Sequence, residues 1–140
     1  MSRTCTEMGT RLHFAILERP LELGPIQSPD EVMIVSLIEL RPSPGKRAEI
    51  LELLRYSADH VGTKAGALGS RVYEGNNGEE TILYVERWRR EEDFRQHVQS
   101  NLYLGVLTAL DLAMDRREVN FYEVSDTKSM EFIVAVRNSN

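Results

Sequence analysis

Apolar residues recur along this chain with two different periods, and the order in which the periods change predicts its architecture. Val32 to Leu40 (V-M-I-V-S-L-I-E-L) is apolar on both parities, with Val32, Ile34, Ile38 and Leu40 on one and Met33, Val35 and Leu37 on the other. That pattern predicts a strand with both faces covered. Pro42, Pro44 and Gly45 end it. A helix follows from about Pro44 to Val61, with proline suited to its first turn and Ile50, Leu51, Leu54, Ala58 and Val61 forming one stripe. Gly62 and Gly66 mark its end.

Ala67 to Glu74 reads as a second strand and Glu80 to Trp88 as a third, joined by Gly75, Asn76, Asn77 and Gly78. The period then lengthens. Glu91, Glu92 and Asp93 supply the negative charge that a helix N-terminus favours, and a helix is predicted to about Gln99. Another runs from about Leu102 to Met114, with Ser100 or Asn101 placed to cap it. Glu118 to Val124 predicts a fourth strand, and Met130 to Arg137 (M-E-F-I-V-A-V-R) a fifth. The order is β-α-β-β-α-β with additions at each end, an α+β class domain of split βαβ type with an antiparallel sheet. The domain spans 32–125. Residues 1–31 form an extension broken by Pro20, Gly24, Pro25 and Pro29, in which only Arg11 to Leu17 suits a strand. Residues 126–140 form a second extension. Met33 is a candidate natural start.

A single cover of helices protects one sheet face only. The poor alternation of these strands therefore predicts a homodimer, with the bare faces of two copies packed together. Burying several such side chains at roughly 25 cal/mol per Å² is worth many kcal/mol before the cost of association.

Composition narrows the functional classes. With 140 residues, 41% hydrophobic and 28% charged, the chain has the size and content of one globular domain. A net charge of −5 argues against nucleic acid as a partner. The lone cysteine, Cys5, allows no intramolecular disulfide and no cysteine metal cluster, which suits a cytoplasmic location. No apolar run approaches the roughly 18 residues that span a bilayer, so no membrane partner is expected. The histidines His13, His60 and His97 lie far apart and form no metal-ligand motif, and no glycine-rich phosphate loop occurs.

Candidate chemistry gathers between Thr81 and Tyr103. Ile82, Tyr84, Glu86 and Trp88 alternate and so share one strand face, and Phe94, His97 and Val98 follow at helical spacing. This geometry aims an indole and an imidazole at one space. Trp88 is either a core aromatic or the wall against which a planar substrate stacks. His97 is either a helix histidine satisfied by backbone or a general base, since imidazole titrates near neutrality. Glu86 shares the face of Trp88 and, if buried, needs a partner; an ion pair with Arg71 or Arg87 is expected. Tyr84 and Tyr103 are either aromatic filler or hydroxyl donors to a substrate oxygen. Asn101 and Ser36 are further polar groups near the presumed cavity. His60 fits a favourable charge at a helix C-terminus.

Tyr84, Glu86, Trp88, Phe94, His97, Ser100 and Tyr103, in this order of elements, resemble the signature of the antibiotic biosynthesis monooxygenase-like family. The resemblance covers roughly Met33 to Ser125. It implies a ferredoxin-like core, a dimeric α+β barrel, and a pocket between sheet and helices lined by the matching tryptophan. It implies oxidation of a small aromatic or quinol-type substrate by O2 without a cofactor. His97 and Tyr84 would then be catalytic, and Trp88, Glu86, Tyr103, Asn101 and Ser36 would bind the ligand. An isomerase, or a non-catalytic domain holding a small ligand, is the alternative on the same scaffold. The haem-degrading relatives use a histidine in the second of these helices; Leu102 to Met114 contains none, with Leu107 near the position, and Ser36, Leu37 and Ile38 stand where those relatives carry an asparagine. Haem is therefore disfavoured, and no metal is expected.

Overall fold

Strand β1 (Met33–Pro42) is an inner strand of the sheet: it pairs antiparallel with β3 (Ile82–Trp88) on one side and β4 (Ala113–Val124) on the other. β2 (Ala67–Glu74) closes the far edge against β3, giving the order β2-β3-β1-β4, antiparallel throughout. Helix α1 (Arg47–Val61) crosses from β1 to β2, and α2 (Glu91–Val98) with α3 (Tyr103–Asp111) crosses from β3 to β4. These helices lie on one face. A last helix, α4 (Met130–Asn138), follows β4. This computed structural model describes residues 32–75 and 80–139, and the split βαβ order predicted from the periodicity is the order observed. The strand expected over Arg11 to Leu17 and most of the Gly75–Gly78 turn lie outside the described residues. Among the described residues no helix is long and apolar enough to cross a membrane.

Periodicity dictates which face is dry. In β1, Ile34, Ser36, Ile38, Leu40 and Pro42 are buried, while Met33, Val35, Leu37, Glu39 and Arg41 are only partly so. The expectation that both β1 faces are covered thus holds for one face of a single chain. The dry side meets the α1 stripe of Ile50, Leu51, Leu54 and Val61 and the α3 residues Tyr103, Val106 and Ala109. A second cluster joins Ile34, Val61, Trp88 and Phe94, with Phe121 packed against it. The candidate residues lie along the line where these clusters meet.

Several boundaries differ from expectation. α1 starts at Arg47, because Gly45 takes φ +79° and keeps Pro44 in the preceding turn. Neither Ser100 nor Asn101 caps α3 with its side chain: Leu102 holds the N-cap position, and the Ser100 hydroxyl instead donates to the His97 carbonyl at 2.7 Å, closing α2. α3 ends at Asp111, and β4 begins at Ala113 rather than Glu118, since Ala113 pairs with Pro42 at the end of β1. Register shifts between Glu39 and Leu40 and between Arg41 and Pro42 let this charged, poorly alternating stretch follow β1 as an edge.

The expected fifth strand over 130–137 is instead helix α4. Short apolar runs fit either period, and the flanks decide here. Ser129 is extended at the N-cap, its hydroxyl donates to Glu131, and Arg137 sits in the last turn.

Candidate functional site

Alternation along β3 sends Ile82, Tyr84, Glu86 and Trp88 to the helix-covered face, and all four are fully buried. After Trp88 the chain turns through two residues into α2. The acidic first turn of α2 suits its N-terminus, and Phe94 and His97, three apart, face the sheet. Gly66 sets how closely α2 approaches: it takes φ +81°, its carbonyl accepts from the Arg89 amide at 2.8 Å, and a Cβ there would overlap the Asp93 carboxylate. Asp93 is itself held by Arg90 at 3.2 Å. The loop before β2 therefore anchors the helix that carries His97.

These placements converge on one carboxylate. Glu86 Oε1 accepts from the Trp88 indole N–H at 2.9 Å. Its Oε2 accepts from the Tyr84 hydroxyl at 2.6 Å and lies 3.0 Å from His97 Nε2. The Tyr84 hydroxyl also meets Ser57 Oγ, on the buried stripe of α1, at 2.7 Å. A buried carboxylate persists only when its lone pairs are filled, and here the Trp88 and Tyr84 donors and the His97 nitrogen surround it. The imidazole is held as well: its ring stacks on Trp88 with centroids 4.8 Å apart and meets Tyr103 edge-on at 5.1 Å. One of its atoms is left over. His97 is 3% exposed, yet its Nδ1 has no hydrogen-bond partner.

The site's electrostatics keep its phenols neutral. Loss of hydration and then the Glu86 charge push the Tyr84 hydroxyl well above the ordinary tyrosine range, and the same two causes raise Tyr103. Tyr84 is thus a donor to Glu86 and not a base at neutral pH. Among the described residues no cluster of three or more histidine, cysteine, aspartate or glutamate side chains is placed to hold a metal ion.

Of the residues singled out in the sequence, Tyr84, Glu86, Trp88, His97 and Tyr103 come together. Ser36 joins them by register, directly across from Glu86 on β1. Ser70 flanks Glu86 on β2, with its hydroxyl buried near Tyr84. Asn101 does not join. It is exposed and lines a groove of about 750 Å³ on the outside of the helix layer, with Tyr56, His60, Leu102 and Gly105. His60 sits in the last turn of α1, as its spacing suggests, and its Nδ1 lies 2.8 Å from the Tyr56 carbonyl.

The expected ion pair of Glu86 with Arg71 or Arg87 is corrected by parity. Arg87 adjoins Glu86 in sequence, and Arg71 pairs with Val85, so both project to the opposite face. Arg87 reaches the Leu68 carbonyl instead. Ser57 went unremarked in the sequence. Its signal was a hydroxyl set among the apolar positions Leu54, Ala58 and Val61, where a polar group must find a partner.

The comparisons agree with this architecture. The chain matches the family model described as antibiotic biosynthesis monooxygenase over residues 33–107. A Deinococcus radiodurans protein named for the same family superposes with a TM-score of 0.61 at 19% identity, covering 69% of this chain and 97% of that one. A conserved protein from Methanosarcina mazei Go1 gives 0.58 at 22% identity, covering 65% and 91%. Rv0793 from Mycobacterium tuberculosis gives 0.57 at 21%, covering 70% and 98%. At these identities the likeness is one of fold. No curated protein matches the chain. The family match spans more than half of the sequence, and the helix-covered sheet has the form of solved relatives; the chain belongs to the antibiotic biosynthesis monooxygenase family.

Proposed function

We propose that this protein is a cofactor-independent monooxygenase that oxidises a small aromatic, quinol-type substrate with O2. The observation that carries the reading is the buried pairing of His97 with Glu86 beside Trp88, with one imidazole nitrogen unspent. A phenol gives up an electron far more readily once deprotonated. His97 would take the phenolic proton, and the resulting anion would reduce O2 against the indole face of Trp88. In sum the substrate loses two hydrogens and gains one oxygen atom, and the second oxygen atom leaves as water. The protein supplies position, a base and exclusion of solvent. His97 is 3% exposed, so a substrate that meets its free nitrogen has to displace the side chains that cover it.

The half-exposed second face of β1 and β3 supports a homodimer with the two sheets face to face, and a sequence with Cys5 as its one cysteine suits the cytoplasm. Oxygen uptake with a panel of hydroquinones tests the reaction. Wild-type protein is expected to consume O2 and the His97→Ala variant to lose at least 100-fold in rate. No uptake across the panel overturns the reading, and conversion of substrate without O2 points to an isomerase.

A further inference from the structure

We infer that Glu86 is a positioning residue that fixes His97 in the Nε2–H tautomer, so that Nδ1 is the atom that accepts a proton from the hydroxyl of an aromatic ligand. The ligand class rests on the proposed function; the tautomer rests on the hydrogen bonds alone.

The indole N–H of Trp88 is a donor and nothing else, so Glu86 Oε1 must accept from it. Tyr84 donates to Oε2, with its own hydroxyl kept protonated by burial and by the Glu86 charge. His97 Nε2 lies 3.0 Å from the same oxygen. Two lone pairs at that separation would repel, so a proton lies between them. Imidazole is intrinsically a stronger base than a carboxylate, which places the proton on Nε2. The neutral ring then has one remaining function, an in-plane lone pair on Nδ1. That atom is buried and has no partner. Stacking on Trp88 and the edge contact with Tyr103 prevent the ring from turning to hide it. An unsatisfied acceptor walled by an indole and a phenol ring is suited to a planar ligand with an acidic hydroxyl.

The same geometry makes the conservative variant decisive. In Glu86→Gln the Trp88 N–H still demands an oxygen, which pins the side-chain carbonyl at the Oε1 position and turns the amide NH2 toward His97. Nε2 must then accept, and the proton moves to Nδ1. Long-range 1H–15N correlation spectra of the ligand-free protein read the tautomer directly. Wild type is expected to show Nε2–H and a bare Nδ1, Glu86→Gln the reverse, and Tyr84→Phe, which leaves the carboxylate in place, the wild-type pattern. Nδ1–H in wild type, an imidazolium persisting into mildly alkaline buffer, or an unchanged tautomer in a folded Glu86→Gln protein each overturns the assignment. If Glu86→Gln does not fold, the wild-type spectrum decides alone. Anaerobic hydroquinone is the ligand probe: it should shift the wild-type Nδ1 resonance and leave that of Glu86→Gln in place, and no shift at saturating concentration removes the ligand half. None of these readings depends on O2 uptake, so failure of the proposed reaction and failure of this assignment are separate results.

Discussion

The two faces of the sheet solve the same problem differently. On the helix-covered face Ile34, Ser36, Ile38, Ile82, Tyr84, Glu86 and Trp88 are at most 1% exposed, and the polar groups form one row across the strands. On the other face Met33, Val35, Leu37, Leu83 and Val85 are half-buried, Tyr73 is 48% exposed, and the polar groups gather on β4, where Tyr122 and Asn120 donate to Glu118 at 2.6 and 3.0 Å. A closed face must satisfy every polar atom internally. The imidazole nitrogen it leaves unpaired therefore stands out. An open face carries no such obligation, but its apolar centre calls for cover.

Breaking the open face should have the largest effect. Leu37 and Val85 are direct cross-strand neighbours there. Changing both to glutamate sets like charges opposite each other and, in a face-to-face dimer, does so twice. The loss is roughly 6 kcal/mol or more of association free energy. Light scattering should give a dimer mass for wild type and a monomer mass for the variant, with circular dichroism showing the fold retained. Equal masses for the two proteins would remove the face-to-face dimer.

On the closed face the corresponding change is Glu86→Ala. It strands the Trp88 and Tyr84 donors and the His97 nitrogen in a dry site. We expect a loss of about 3 kcal/mol in urea unfolding. A cost below about 1 kcal/mol would mean that water reaches the cluster and that this face is less closed than its burial indicates.

The contrast also explains what the sequence reveals. Alternation along β3 names Tyr84, Glu86 and Trp88 as facemates, and a three-residue step brings in His97, because strand and helix periods are local properties. Pairing partners depend on tertiary placement. The Arg87 alternative for Glu86 looks reasonable by proximity, and only parity rules it out. Ser57 enters from α1, and Ser70 from the register of β2, which no local pattern contains. Asn101 is close to His97 in sequence but falls on the far side of the helix layer. The segment 130–137 misleads for another reason. Val134 and Val136 favour strands, while the Ser129 and Glu131 start signal favours a helix, and a run this short carries too few periods to decide between them.

A smaller effect sharpens the closed face by pH. Tyr84→Phe loses the donor to Glu86 and leaves Ser57 without its partner, at a cost of about 1–2 kcal/mol near neutrality. The folded-state pKa of Tyr84 is raised. Its contribution is therefore fully present below the unfolded tyrosine value of about 10 and is lost as pH rises toward the folded value. Wild type should lose stability in that alkaline window, and the variant should lose less, so their difference narrows. Tm measured against pH checks this, and a constant difference would mean that Tyr84 ionises equally in both states.

The smallest expected effect separates the closed face from the outer groove. Asn101 lines that groove with Tyr56 and His60, across the helix layer from the Glu86 row. Its side chain is exposed, so truncation to alanine neither opens a cavity nor strands a buried group, and stability should change by less than about 0.5 kcal/mol. If the chemistry belongs to His97, Asn101→Ala should keep wild-type KM and kcat with any hydroquinone that is turned over. A several-fold rise in KM at unchanged kcat would instead place part of the substrate in the outer groove. The Michaelis complex would then straddle the helix layer, and the division between a closed reactive face and an inert exterior would have to be redrawn.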